Sequence, residues 1–416
     1  MSRLPPAIVL GLDTAVGLVA VRELGRHGVP VIGIGYHDRS VGRGSRSLRE
    51  FMVRPVGPLE AWLPELVRSR GAGAVLPIKD GEILNLARLG EIEGCRNLAP
   101  PAGPLSLVLD KARTLAAAAA CGIEVPGSWQ PTSADEPVPD LGWPVVLKWA
   151  EPLSAMAALQ AAGLPDLKTE YCRDEASLRD ALRRYARIGR FPLVQSYCPG
   201  RGLGQTFYME GGKATLRFQH ERVHEWPPEG GVSSLCRAVP LSRHAEQLER
   251  SEELLAALGW EGFAMVEYRF DPATGLYAMM EVNGHLWGSL ALSSACGAEF
   301  AWEAYRRRVL GERAPAALPL DGLSARDTTK ETLRIGRLFL ARARIADPFF
   351  RPTPWRDLAR YLWGFIDPRT RAYVFSWSDP LPSLLAVAAS LGRAWRRATV
   401  RRGSGAHLAN ASQPLA

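Results

Sequence analysis

The sequence predicts a mixed fold, α/β at its start and α+β beyond, and three observations carry that expectation. Strands and helices alternate with short links near the N-terminus, as in "AIVLGL", "TAVGLVAVRELGRHG" and "VPVIGIGY". That order gives a parallel, Rossmann-like sheet. Further on, "EGGK" and "DPATG" are tight turns between alternating strands, the signature of antiparallel hairpins. Past residue 311 the apolar residues recur at helical spacing. With 416 residues, 47% of them hydrophobic, the chain is long enough for two or three cored domains.

The elements follow in order. Residues 1–105 hold the alternating unit, continued by "AVLPIKDGE" as a strand and "ILNLARLGEI" as a helix. The breaker "APPAGP" ends it. Residues 106–195 open with "SLVLDKARTLAAAAACGIEVPGSW", read as one helix of about four turns closed by Gly122. "WPVVLKWA" is a β-branched strand holding one lysine, "DEASLRDALRRYARIG" an amphipathic helix, and "FPLVQSYCPG" a strand entering a turn. Residues 196–310 contain both hairpins, with "RHAEQLERSEELLAALGW" as a helix between them. Residues 311–402 read as a helical extension. The small, polar residues 403–416 read as a disordered tail.

Several classes are disfavoured. Six dispersed cysteines without a CxxC pair oppose a zinc site or a secreted disulfide framework and point to the cytoplasm. The N-terminal apolar run meets Gly11 and Asp13 at once, so it reads as a strand and not a signal peptide. No apolar stretch is long enough to span a bilayer. The net charge of +8 is tail-heavy, with Arg393, Arg396, Arg397, Arg401 and Arg402 beyond the last acid, Asp379. No nucleic-acid-reading helix accompanies it. The basic amphipathic stretch from residue 381 has two readings, peripheral contact with an anionic membrane or packing on the body, and its short, alanine-rich stripe favours packing. "GLDTAVG" is not GxGxxG, since Asp13 stands where a second glycine would admit a pyrophosphate.

The chemistry concentrates in "MMEVNGHLWGS". Glu281 and Asn283 are two apart and share a strand face. The hairpin turn brings Glu267 beside them. Two carboxylates and an amide oxygen suit Mg²⁺, a hard cation that takes few protein ligands plus phosphates. Lys148, inside an apolar strand, needs an anion. Lys111 opens a second cationic position. Lysines facing carboxylate-held magnesium are the layout of a phosphoryl-transfer site. Taken alone, Glu281 and Asn283 read as an exposed strand end with a turn-forming amide, and the Glu267 hairpin with Lys148 turns that reading toward a metal site. Asp80 and Glu82 could touch substrate, although Asp80 also reads as a helix N-cap.

These residues carry a resemblance. "EYRFDPATGLYAMMEVN" resembles the metal-binding hairpin of the ATP-grasp superfamily, "LDKARTLAAAAACGIEVP" its first-lysine helix, "WPVVLKWA" its second-lysine strand and "LVQSYCPG" its hinge. "FQHERVHEWPPEGGVSSLCRAVP" resembles the carboxylate–amine ligase-like subgroup, related to the large chain of carbamoyl-phosphate synthase. The resemblance covers about residues 5–310, with four motifs in the family's order. It implies an N-terminal pre-grasp domain, two lobes clamping Mg·ATP (or Mn·ATP), and ligation of a carboxylate to an amine through an acyl-phosphate. Small-molecule substrates, no nucleic acid and a possible homodimer follow from it.

Carried over by position, Lys111 and Lys148 would contact phosphates. Gln195, Ser196, Tyr197 and Cys198 would meet the nucleotide, the last three through backbone groups. Glu267, Glu281 and Asn283 would hold the metal. Arg222, Arg237, Arg269 and His285, with His220, would face the carboxylate or a developing oxyanion. The chain departs from the family at Ser196, where glutamate is usual, and at "NGH", where NPR is usual. It also lacks the glycine-rich loop after Lys148, for which Lys168 would substitute. These departures sustain an alternative, a non-catalytic or regulatory ATP-binding protein of the same fold.

Overall fold

A computed structural model describes residues 4–149, 152–165, 169–228, 230–341, 345, 347 and 350–388. Three sheets organise them. The first unit runs through Ala7–Leu10 (β1), Ala15–Arg26 (α1), Val31–Gly35 (β2), Leu48–Val53 (β3), Leu59–Arg70 (α2), Ala74–Pro77 (β4), Asp80–Leu89 (α3) and Arg96–Asn97 (β5). Its strands pair in parallel in the order β3-β2-β1-β4-β5. Both faces are covered by helices, and β1 and β2 are correspondingly apolar and fully buried.

The second unit comprises Ala102–Leu109 (α4), Lys111–Ala120 (α5), Ser128–Trp129 (β6), Val145–Lys148 (β7), Pro152–Ala161 (α6), Glu170–Cys172 (β8), Glu175–Ala186 (α7) and Leu193–Ser196 (β9). Its sheet has the order β6-β9-β7-β8 and is antiparallel. The single helix expected from residue 106 is two helices. Asp110 breaks it with an extended backbone, and its carboxylate accepts from the Arg113 amide at 3.1 Å. An N-cap aspartate satisfies an orphan donor of the new helix, so Lys111 becomes the first residue of α5.

The third unit comprises Arg201–Glu210 (β10), Lys213–Trp226 (β11), Val232–Ala238 (β12), Ala245–Ala257 (α8), Gly262–Phe270 (β13), Tyr277–Asn283 (β14), Leu290–Ala295 (α9) and Phe300–Arg308 (α10). The chain then gives Ser324–Arg326 (β15), Thr328–Leu340 (α11), Pro354–Trp363 (α12) and Thr370–Ala372 (β16). The sheet order is β14-β13-β10-β11-β12-β15-β16. The extension is helical in α11 and α12 and also lends two short strands to this sheet. It returns to the first unit, where Arg22 pairs with Asp379 at 2.9 Å.

The large sheet has two differently packed faces. Phe218, Cys236, Ala238 and Met265 share one core with Val19 and Leu24 of α1 and with Phe300 and Tyr305 of α10. Leu203, Phe207, Val266, Tyr268 and Val282 join Leu248 and Leu255 of α8 and Trp260 in the other. Each such large side chain stabilises the fold by about 1.5–3 kcal/mol through burial. The alternation that serves both cores also sends the polar residues of β10 to β14 to defined faces.

Candidate active site

The site forms where the first face of the large sheet meets the small sheet. Glu267 lies directly opposite Glu281, and Met265 opposite Asn283, across the β13–β14 ladder. The Asn283 amide donates to Glu267 Oε1 at 3.0 Å and to Glu281 Oε1 at 3.4 Å. Sequence reasoning placed these three together, and the register brings them together. Glycine is required at two nearby positions. Gly200, at φ 102°, would drive a Cβ to 2.2 Å from the Phe270 carbonyl, and a Cβ on Gly284 would meet the Trp260 ring at 2.4 Å. The second contact is the packing reason for "NGH".

Arg222 of β11 reaches the same face. Its guanidinium forms an ion pair with Glu267, lies 3.7 Å from Glu225, and donates to the Gly231 carbonyl at 3.3 Å. Burial alone would pull its proton off, but Glu267, Glu225 and Glu281 outweigh that and hold it charged. Burial pushes the Glu267 carboxyl up, Arg222 draws it back, and Glu281 pushes it up again. Two facing carboxylates with one guanidinium leave negative charge in a poorly solvated place. A divalent cation would neutralise it, so the donor set fits Mg²⁺. Among the described residues no cluster of three or more His, Cys, Asp or Glu side chains could hold a metal. Asn283 turns its NH2 to both carboxylates, so its oxygen would join them as a ligand only with the amide turned over.

Lys148 ends β7, its Nζ 3.9 Å from Met280 Sδ of the hairpin strand. Burial and the neighbouring charge of Lys111 pull its ammonium down to about 8, against Glu281, which raises it. The two predicted lysines and the trio therefore act on one another. Arg269 joins them, 3.5 Å from Glu225 and donating to the Gly200 carbonyl at 3.4 Å.

The hinge is partly committed to its own sheet. The Ser196 amide donates to the Gly127 carbonyl at 2.8 Å, the Tyr197 amide to the Pro144 carbonyl at 3.2 Å. The Ser196 hydroxyl donates to the Leu141 carbonyl at 2.8 Å, and Gln195 donates to Ser128 Oγ at 2.9 Å. Ser196 thus serves the local fold where a glutamate would reach outward. Cys198 lies at the cleft edge; burial raises its thiol, while Lys148 and Arg269 oppose that.

Other expected residues fall elsewhere. Arg237 pairs in register with Glu221, on the opposite face. There Glu221 is surrounded by Arg201 at 3.7 Å, Arg237 at 3.9 Å, Arg243 at 3.1 Å and His244 at 3.6 Å. His220 is fully buried against Ser289 Oγ at 3.0 Å, and burial with nearby Arg222 pulls its imidazole down to about 3. A histidine so held is neutral and offers no cation to a carboxylate. His285 lies 3.6 Å from Asp80, which is one residue inside α3 and not its cap. Glu82 is buried. Lys168 lies outside the described residues, as does the tail beyond residue 388. In place of a glycine-rich loop after Lys148 the chain forms α6.

The dinucleotide reading of the first unit meets a physical obstacle. The Asp13 carboxylate accepts from the Tyr36 amide at 3.0 Å and from Ser40 Oγ at 2.6 Å, and lies 3.3 Å from Lys79. Burial raises its proton affinity, but these donors outweigh burial and keep it below the usual range. A fixed anion at the first turn repels a pyrophosphate.

Sequence reasoning missed the role of Glu225, which bridges Arg222 and Arg269. His224 beside it, whose polar neighbours suggest strand surface, is instead buried and bound to Glu331 of α11 at 2.8 Å. For Glu225 the only sequence signal was the crowding of charged residues in "HERVHEW".

The chain has the ATP-grasp fold. No protein-family model matches it, and no curated protein matches it by sequence. Solved structures do. The ADP complex of an N5-carboxyaminoimidazole ribonucleotide synthetase superposes with a TM-score of 0.61 at 15% identity, over 81% of this chain and 88% of that one. The biotin carboxylase domain of the Hydrogenobacter thermophilus 2-oxoglutarate carboxylase, a dimer with MgADP, ADP and bicarbonate, gives 0.57 at 16% identity, over 78% and 74%. A Rhizobium etli pyruvate carboxylase gives 0.55 at 16% identity, over 74% of this chain but 28% of that chain. At such identities the likeness is one of fold.

Proposed function

We propose that the chain is an ATP-dependent ligase that joins a small carboxylate to an amine. The observation that carries this is the convergence of Glu267, Glu281 and Asn283 opposite Lys148. Mg²⁺, or Mn²⁺ in its place, would be held by that trio and would neutralise the phosphates of ATP. Lys148 and Lys111 bind the phosphate chain, and the hinge from Gln195 to Cys198 flanks the base. A carboxylate oxygen attacks the γ-phosphorus and ADP leaves. The amine nitrogen then attacks the acyl carbon, phosphate leaves with the C–O electron pair, and the nitrogen's surplus proton passes to that phosphate. Arg269 orients the carboxylate. Arg222 pairs with Glu267 and opposes the protonation that burial favours. The binding of MgADP and bicarbonate by the 2-oxoglutarate carboxylase domain supports a nucleotide beside a small carboxylate-like anion. We place the enzyme in the cytoplasm, where ATP is found, and as a homodimer.

The test is ADP release across pairs of carboxylates and amines, with hydroxylamine present to trap the acyl-phosphate as a hydroxamate. Trapping that is lost in Glu281→Ala supports the reading. One observation favours a second reading, a nucleotide-binding protein without turnover. Helix α6 occupies the stretch where the family's glycine-rich loop is expected. Magnesium-dependent ATP binding with no ADP release from any pair would select it.

A further inference from the structure

Helix α12 is turned inside out. Its inner face is polar. Buried Asp357 meets Arg334 at 3.2 Å, Tyr361 Oη lies 2.7 Å from Thr332 Oγ1, and Arg326 donates to the Tyr361 carbonyl at 2.7 Å. Its outer face is apolar. Trp355, Leu362 and Trp363, with Ile366 in the turn that follows, recur on one helical stripe and are 74%, 57%, 62% and 72% exposed. Phe339 of α11 packs edge-to-face on Trp355 at 5.0 Å, and Leu340 beside it is 89% exposed. A surface helix ordinarily does the reverse, and an apolar patch of this kind marks a docking site.

The charges around the stripe identify the partner. Among the described residues from 350 to 388, every exposed charged side chain is an arginine: Arg351, Arg356, Arg360, Arg369 and Arg371. Asp357 and Asp379 are buried, and Asp367 is turned onto the Arg369 amide at 3.0 Å and Thr370 at 2.8 Å. The sequence beyond adds five more arginines and no acid. A second copy docked about a two-fold axis would set arginine against arginine. Tryptophan and leucine with Arg356 and Arg360 on the same helix suit the boundary between anionic headgroups and acyl chains. Arginine stems lie along the apolar surface while their heads reach phosphate. No helix among the described residues is long and apolar enough to cross a membrane, so contact is from the side.

We propose that the α11–α12 face docks the chain on an anionic phospholipid surface. This is independent of the ligase reading, because it uses no residue of the nucleotide cleft. The test is co-sedimentation of the full chain with vesicles of phosphatidylcholine, with and without about one-third phosphatidylglycerol. Binding to the anionic vesicles only, weakened by salt, is expected. The double variant Trp355→Ser/Trp363→Ser should lose about tenfold in affinity, and Arg356→Ser/Arg360→Ser a comparable amount at low salt. These side chains are exposed, and an unchanged melting temperature confirms that the variants fold. Three results would overturn the proposal: no binding to either vesicle, binding unaffected by both variants, or a dimer by light scattering that the tryptophan variant dissociates without any vesicle binding.

Discussion

The two faces of the large sheet each bury a glutamate among arginines, and they do different things. On the cleft face Arg222, only 16% exposed, holds Glu267 while Glu281 presses in from the next strand. On the far face Glu221 is 3% exposed, but Arg201, Arg237 and Arg243 around it are 57%, 47% and 46% exposed. The far carboxylate is oversupplied with cations and held below the usual range, first by the contact with His244. On the near face two carboxylates share one guanidinium. Residue type does not separate the two clusters. Strand parity and the balance of charge do.

The largest effect is expected at Glu281, beside Glu267 and Asn283. Glu281→Ala should abolish magnesium-dependent ATP binding in calorimetry and lower any ligase turnover by at least about a hundredfold. Glu221→Ala should leave the magnesium dependence intact. Equal losses in both variants would mean that the trio is no more a metal site than the far cluster.

The second contrast is in stability. Arg222→Ala strips a buried carboxylate of its cation, and breaking such a pair costs about 3–5 kcal/mol. Arg237→Ala removes one of several half-exposed partners and should cost under about 1 kcal/mol. Urea melts of the two variants measure the difference. A double variant, Arg222→Ala with Glu267→Gln, should recover part of the first loss, since the uncompensated charge is gone.

Some of this was legible in the residues. The hairpin trio was in part, because "DPATG" fixes the turn and the turn pairs Tyr268 with Met279, but it is a bulge between Glu267 and Tyr268, invisible in the residues, that sets Glu267 across from Glu281 and not Met280. Lys148 was, because an ammonium at the end of an apolar strand demands an anion. Arg237 was misplaced because motif likeness carries no parity, and its pairing with Glu221 sets it on the far face. The break at Asp110 was hidden by alanine-rich flanks that read as continuous helix. Strands β15 and β16 are too short to show a period. The polarity of α12 was visible as amphipathicity, but which face it turns to solvent depends on Arg326 and Arg334, which no local pattern discloses.

Lysine 148 sharpens the electrostatic side of the comparison. Its proton is lost near pH 8 in the free protein, because burial and Lys111 oppose the charge. ATP phosphates need the charged form. Nucleotide affinity should therefore fall as pH rises through about 8. Lys148→Arg keeps its charge throughout and should flatten that fall, whereas Lys148→Met should weaken binding about tenfold or more at pH 7. A wild-type affinity that is level from pH 7 to 9 would place Lys148 outside the phosphate site.

Glu23 extends the contrast to a buried carboxylate with no arginine bound to it. It lies in α1 at the contact with α10, fully buried, and accepts from the Ala301 amide at 2.7 Å. The nearby Arg26 is engaged with Glu299, which itself repels Glu23. Burial, then Glu299, pushes its carboxyl up to about 8. The sign follows from linkage. In the unfolded chain the group releases its proton near 4.5, in the folded chain near 8. Between those values the folded state binds more protons, so its contribution to stability is full below 4.5 and is lost as pH rises through about 8. The slope approaches about 1.4 kcal/mol per pH unit for one group. Glu23→Gln keeps the acceptor for Ala301 and removes the titration, so the variant should gain on the wild type steadily from pH 5 to 8 in urea melts. If the two curves stay parallel across that range, Glu23 is ionised in the folded protein, and the arginines of the other two clusters are not what separates those glutamates from it.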